Sequence, residues 1–215
     1  MLLEDLRRQV VETGRKMVEY GLVAGTWGNI SARDAQTGYF ALTPSGMDYL
    51  QLAAEDIVII DPEGNTVDGQ RKPSSEIRLH VAIYRHRPDI MAIVHTHSVY
   101  GSTCACAGKA IPPLVEDLVQ IVGGSVDIAP YALPGTDGVA ANAVKALAGK
   151  FAVLLENHGA VGVGENLADA FTVCQLLEKS AQIYLFSQLI GGAKILPADD
   201  VKVMHQFYKD QYGQR

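Results

Sequence analysis

Across the first twenty residues Leu3, Leu6, Val10, Met17 and Val18 recur near one face at helical spacing, and Gly21 follows as a stop. The chain is therefore expected to open with an amphipathic helix. Short β-type runs come next, at Tyr39 to Thr43 and at Ile57 to Ile60, the second closed by the turn-former Asp61-Pro62-Glu63-Gly64-Asn65. Ser74 is placed to cap a helix that runs to about His86, where Arg87-Pro88 ends it. An apolar strand from Ile90 to His95 leads straight into His-Thr-His, and a helix of small residues follows from about Ser98 to Gly108. Later strands are expected at Val126 to Ala129, Phe151 to Glu156 and Ala160 to Val163, with helices at about Asp137 to Ala148 and Leu167 to Ile190. Between Ile111 and Gly135 closely spaced Pro and Gly residues read as loops and short pieces.

Helices and strands interleave throughout, with no internal repeat, low-complexity tract or linker. The expectation is a single α/β domain over residues 1–215, a length sufficient to bury one large core. Charged residues, 20% of the chain and well mixed, leave a formal net charge of -6, so no basic footprint for nucleic acid or an anionic membrane is present. The opening residues carry charges every few positions, unlike a signal peptide or a membrane span, and a cytoplasmic enzyme is expected. Cys104, Cys106 and Cys174 are odd in number and lack framework spacing, so they read as thiols rather than a disulfide scaffold.

Side chains on a strand alternate, which puts His95 and His97 on the same side about 7 Å apart along the backbone, a spacing from which both can reach one ion. His158, in Glu156-Asn157-His158-Gly159, ends another apolar run and can be brought beside the pair by a neighbouring strand. Three imidazoles with a fourth position open describe a catalytic rather than a structural zinc site. His80, His86 and His205 lie in helical segments among charged residues and read as ordinary surface groups. Glu76 fits an acidic residue in a first helical turn, stabilised by the helix dipole. Its neighbours Ser74 and Ser75, with the unpaired N–H groups of that turn, also make a phosphate seat. Gly25 to Ser31 and Thr43 to Gly46 offer similar hydroxyls and amides, and neither matches a nucleotide loop. Together these segments form an anion site without a lysine, suited to a phosphomonoester.

The segments GLVAGTWGNIS, LTPSGMDY, KPSSE, RPDIMAIVHTHS and NHGAVGVG, in that order from Gly21 to Gly164, resemble the class II aldolase and adducin-head family, most closely its fuculose-phosphate aldolase branch. The resemblance implies a central, largely antiparallel sheet flanked by helices, assembled as a homotetramer with active sites between subunits. It implies one zinc or other divalent cation per subunit, held by His95, His97 and His158. It carries the phosphate site onto Asn29, Ser45, Gly46, Ser74 and Ser75, with Thr26 and Gly28 as backbone contributors. Glu76 matches the family's acid/base carboxylate and Tyr212 the branch's late tyrosine that protonates the aldehyde oxygen. The implied reaction is reversible aldol cleavage of a deoxyketose 1-phosphate, such as L-fuculose 1-phosphate or a shorter 5-deoxypentulose or methylthioribulose phosphate, to dihydroxyacetone phosphate and an aldehyde. A Schiff-base aldolase would instead need a lysine in an apolar pocket.

Two positions depart from the branch. Where it places an active-site tyrosine after Ile111-Pro112, this chain reads Pro113-Leu114-Val115-Glu116-Asp117. Glu116 thereby resembles the catalytic glutamate of the methylthioribulose-1-phosphate dehydratase branch and is a second candidate base. Trp27 stands where the phosphate loop commonly carries a small residue, as a lid over the site or as packing. Three alternatives follow: a dehydratase, a pentulose-phosphate 4-epimerase, and an adducin-like, metal-free assembly module.

Overall fold

The computed structural model describes residues 1–212, and its first helix follows the apolar stripe of the sequence. Helix α1 (Glu4–Glu19) buries Val10, Val11 and Met17. It ends in a Schellman turn: Gly21, at φ +66°, donates to the Val18 carbonyl and the Leu22 N–H donates to the Met17 carbonyl, which drops Leu22 into the core. Arg7, 1% exposed, donates to the Ile57 carbonyl and to Asp68, fastening α1 to the edge of the sheet.

The strands are β1 (Asn29–Arg33), β2 (Phe40–Leu42), β3 (Val58–Ile60), β4 (Thr66–Asp68), β5 (Ala92–Thr96), β6 (Asp127–Ala129), β7 (Ala152–Leu155) and β8 (Gly159–Gly164). Among the described residues they form one sheet in the order β4-β3-β2-β1-β5-β8-β7-β6. Every pairing is antiparallel except β6 with β7. Period-2 alternation splits the strands between two cores. Ile30, Ala32, Ala92 and Val94 face the α1 side, and Phe40, Leu42, Val58, Ile60 and Ile93 face the other.

On that second face lie α2 (Ile77–His86), α3 (Val99–Cys106), α4 (Glu116–Val122) and α5 (Asp137–Leu147). Helix α6 (Leu167–Leu189) contributes Phe171 and Cys174 to the first core and Val173, Leu177 and Ala181 to the second, while α7 (Ala198–Gln211) packs on α4. No helix of the described residues is long and apolar enough to cross a membrane.

The structure departs from the sequence expectations in four additional elements, in the start of helix α2 and in the burial of His80. Strands β1 and β4 and helices α4 and α7 are additional, with α4 lying inside the Pro- and Gly-rich stretch read as loops. Helix α2 begins at Ile77 with Glu76 as its N-cap residue, and no side chain caps it. Ser74 instead closes the preceding turn, its hydroxyl accepting from the Glu76 N–H at 3.3 Å. His80, expected at the surface, is fully buried.

Candidate metal and phosphate site

Register brings the histidines together. Strand β5 lies between β1 and β8, with His95 opposite Asn29 on one side and Val161 on the other, and the β7–β8 turn presents His158 immediately before Gly159. Gly159 makes the approach possible, because a Cβ there would stand 2.3 Å from the Thr96 carbonyl and 3.2 Å from the His95 ring. Asn157, at φ 54°, turns the chain so that His158 faces inward. Across the cleft Gly28, at φ +80°, lies against the His95 carbonyl, and the Tyr49 hydroxyl donates to its carbonyl at 2.7 Å.

The three imidazole rings sit edge to face, with centroids 4.7 to 5.1 Å apart. Among the described residues they are the group whose ligand atoms converge, all within 4.8 Å of one another. His95 Nδ1 donates to the Ala160 carbonyl at 3.0 Å, which turns its Nε2 into the cluster. That nitrogen meets His97 Nε2 at 3.0 Å and Glu76 Oε2 at 3.1 Å. Three such atoms so close share a positive centre, either a proton on His95 Nε2, which the Glu76 charge favours, or a cation in its place, and tetrahedral coordination by imidazoles spaces the nitrogens about 3.3 Å apart. The donor set fits a divalent metal ion.

Burial and the neighbouring imidazoles hold His97 down to about 3, and burial followed by His95 holds His158 down to about 4. Both therefore present lone pairs at neutral pH. For Glu76 burial pushes its carboxyl upward. The charge and hydrogen bond of His95, then His158 and Asn29, outweigh that and hold it well below the usual carboxylate range. Oε2 of Glu76 accepts from Asn29 Nδ2 at 2.8 Å, whereas Oε1 has no hydrogen-bond partner and lies 3.3 Å from His158 Nε2.

A cleft of about 320 Å³ opens beside this cluster. Its other wall is built from segments 43–46 and 72–75, joined by a bridge between Pro44 and Pro73 and by the Ser45 N–H donating to the Lys72 carbonyl at 2.9 Å. Thr26, Ser45, Ser74 and Ser75 contribute hydroxyls to the lining, and no lysine or arginine does. The cleft thus places a hydroxyl-bearing wall without lysine or arginine beside a carboxylate and three converging imidazoles.

The profile of the family described as Class II Aldolase and Adducin N-terminal domain matches residues 8–185. This chain belongs to the class II aldolase and adducin family. It is 41% identical over 215 residues to the 5-deoxy-D-ribulose 1-phosphate aldolase of Bacillus thuringiensis serovar kurstaki, covering 100% of both chains. It is 37% identical over 208 residues to the 5-methylthioribulose-1-phosphate/5-deoxyribulose-1-phosphate aldolase of Rhodospirillum rubrum, covering 97% of this chain and 92% of that one. A solved L-fuculose 1-phosphate aldolase superposes with a TM-score of 0.94 at 37% identity, covering 97% of this chain and 98% of that one. Within the class II aldolase family the chain groups with sugar-phosphate aldolases, and neither the dehydratase nor the epimerase alternative is needed.

Of the residues singled out from the sequence, the class II aldolase fold gathers His97, His158, Glu76, Asn29 and the two serine-bearing segments around this one cleft, with His95 beneath it. Trp27, 67% exposed, stands at the mouth with its ring 5.9 Å from that of His97, the position of a lid rather than of core packing. Glu116 and Tyr212 are not brought to the cleft within the chain. Glu116 is exposed on the first turn of α4. Tyr212 stacks on Tyr208, which borders Gly164 at the opposite end of β8 from His158, about 20 Å away along the strand. The residue that the sequence reading missed is His80, which contacts Asn29. Its signal was present as the four-residue spacing of Glu76, His80 and Tyr84.

Proposed function

We propose that this chain cleaves a 5-deoxypentulose 1-phosphate reversibly to dihydroxyacetone phosphate and acetaldehyde, using a zinc or other divalent ion on His95, His97 and His158. The observation that carries the reading is the convergence of the three imidazoles and the Glu76 carboxylate beside a hydroxyl-lined cleft. Full-length similarity to the two pentulose-phosphate aldolases supports the choice of substrate. The four-carbon-plus-methyl skeleton divides between C3 and C4, so carbons 1 to 3 leave as dihydroxyacetone phosphate and carbons 4 and 5 as acetaldehyde.

Thr26, Asn29, Ser45, Ser74 and Ser75, with the amides of Gly28 and Gly46, bind the phosphate and so fix the distance from C1 to Glu76. A bound cation supplies Lewis-acid stabilisation of the negative charge that develops on the C2 and C3 oxygens. The C4 hydroxyl gives its proton to the Glu76 carboxylate as the C3–C4 bond breaks, and the electron pair stays on the dihydroxyacetone phosphate fragment. Glu76 then delivers a proton to C3 of that fragment, and in the synthetic direction it removes it. With its carboxyl held ionised, it is poised as the base for synthesis and takes up the proton at the moment of cleavage. Trp27 closes the mouth of the cleft and excludes water from the reacting carbon.

Residues 186–212, beyond the span matched by the family profile, belong to the same unit, and the chain acts as a cytoplasmic homotetramer. Tyr212 and Glu116, remote from the cleft of their own subunit, reach reacting atoms only in a neighbouring subunit's site. The test is product analysis with a panel of ketose 1-phosphates. Release of dihydroxyacetone phosphate and acetaldehyde from 5-deoxyribulose 1-phosphate, faster than cleavage of L-fuculose 1-phosphate, supports the reading. Formation of a diketo phosphate, which retains all the carbons, contradicts it.

A further inference from the structure

Behind Glu76 a line of buried polar side chains runs away from the cleft between β1 and α2. Asn29, Ser31 and Arg33 occupy alternate positions of β1 and so share its α2-facing side. Glu76, His80 and Tyr84 recur every fourth residue along one face of α2. Two strand residues advance about 6.7 Å. Four helical residues advance about 6.0 Å, so the two rows interdigitate in step. The contacts follow that order: Asn29 Nδ2 to Glu76 Oε2 at 2.8 Å, His80 Nε2 to Asn29 Oδ1, Ser31 Oγ to His80 Nδ1 at 2.6 Å, and Ser31 Oγ to the Tyr84 hydroxyl at 2.8 Å. The Arg33 guanidinium closes the row over the Tyr84 ring, 4.8 Å from its centroid. His80 and Ser31 are fully buried, with Asn29 4% and Tyr84 6% exposed.

The carboxylate fixes every proton in this row. An ionised Glu76 only accepts, so Asn29 turns its amide nitrogen to it and its oxygen to His80. His80 then carries its proton on Nε2 and accepts on Nδ1 from Ser31, which in turn accepts from Tyr84. All four donors point toward Glu76. Because an amide stands in the row, no proton passes along it. What it delivers is orientation and polarisation.

We propose that His80 is a positioning residue for the proton-transfer step: through Asn29 it commits Glu76 Oε2 to the scaffold and leaves Oε1, which has no hydrogen bond, as the oxygen that exchanges the proton with C3. The proposal rests on the reading of Glu76 as the acid/base.

The test compares His80→Phe, which fills the space without donor or acceptor, with His80→Gln, which keeps one of each. Both are measured as metal-loaded enzyme for C3 proton exchange on dihydroxyacetone phosphate. In His80→Phe, kcat is expected to fall about 10- to 100-fold, the usual effect of removing an outer-shell partner, with KM and metal stoichiometry close to wild type. His80→Gln is expected to recover most of kcat. Ser31→Ala, which removes a link further out, is expected to lower kcat about fivefold and serves if His80→Phe does not fold. An unchanged kcat in the folded variants, a change confined to KM, or a His80→Gln as impaired as His80→Phe overturns the proposal. Glu76→Gln separates the two layers. If it is inert while His80→Phe behaves as wild type, only the positioning role fails. If Glu76→Gln exchanges normally, the acid/base reading fails and the proposal with it.

Discussion

At the scale of single residues the site divides by charge. His95 donates from Nδ1 to the Ala160 carbonyl and turns Nε2 to His97 and Glu76, so removing the ring takes away both a candidate ligand and the partner that holds the Glu76 carboxyl low. His95→Ala is expected to lose metal and activity together, checked by metal analysis of the purified protein beside an aldolase assay. A His95→Ala protein with full metal would remove this residue from the site. His80 makes a separate prediction about pH. Burial holds it, from an ordinary 6.5, down to about 3, with the Glu76 charge opposing and His95 adding to the effect. The unfolded chain protonates this ring near pH 6.5 and the fold does not. Between those values the unfolded state binds more protons, and stability falls as pH falls, by at most about 1.4 kcal/mol per pH unit. His97 and His158 act in the same direction. Urea unfolding of wild type and His80→Gln at pH 7.5 and pH 5, at fixed metal, should therefore show a smaller loss in the variant. The histidine triad was legible in the sequence because His-x-His at a strand end has one geometric meaning. His80 was not, because its surface-like neighbours Arg78, Arg85 and His86 hide a face whose polar residues are buried.

At the scale of elements, the site depends on backbones that approach more closely than side chains allow. Gly159 lies against Thr96 across the β5–β8 pairing, and an added Cβ meets a carbonyl that cannot swing aside. Gly159→Ala is expected to cost about 1 to 3 kcal/mol, as overpacking does, and to weaken metal binding by moving His158. Denaturant unfolding and metal titration check both. Arg7 is the corresponding fastener on the other face. Arg7→Ala leaves the Ile57 carbonyl and Asp68 without its guanidinium and is expected to cost about 2 kcal/mol of stability with little effect on the cleft. Most helices and the apolar strands could be read from periodicity. Strand β1 could not, since Asn29 and Ser31 give it a polar face that is nevertheless inside, and the same residues build the row behind Glu76. Helix α4 was hidden by the flanking Pro112-Pro113 and Gly123-Gly124, although Leu118, Val119 and Val122 bury it well.

At the scale of the whole molecule, one sheet carries the three converging histidines at the β5 and β8 strand ends and the hydroxyl-lined wall of the cleft on the adjoining turns. The elements that bear Glu116 and Tyr212 lie elsewhere. The assembly reading therefore makes a mixing prediction. Coexpressing inactive His95→Ala subunits with Tyr212→Phe subunits should restore activity above either alone if Tyr212 serves a neighbour's cleft, whereas equal activities assign it no such role. If the triad and Glu76 act on one substrate carbon in this cleft, deuterium uptake at C3 of dihydroxyacetone phosphate, followed by NMR, reports it directly. Metal-loaded wild type should incorporate one deuterium stereospecifically, and Glu76→Gln with the same metal content should incorporate none. Exchange at the wild-type rate in Glu76→Gln would show that Glu76 is not the base.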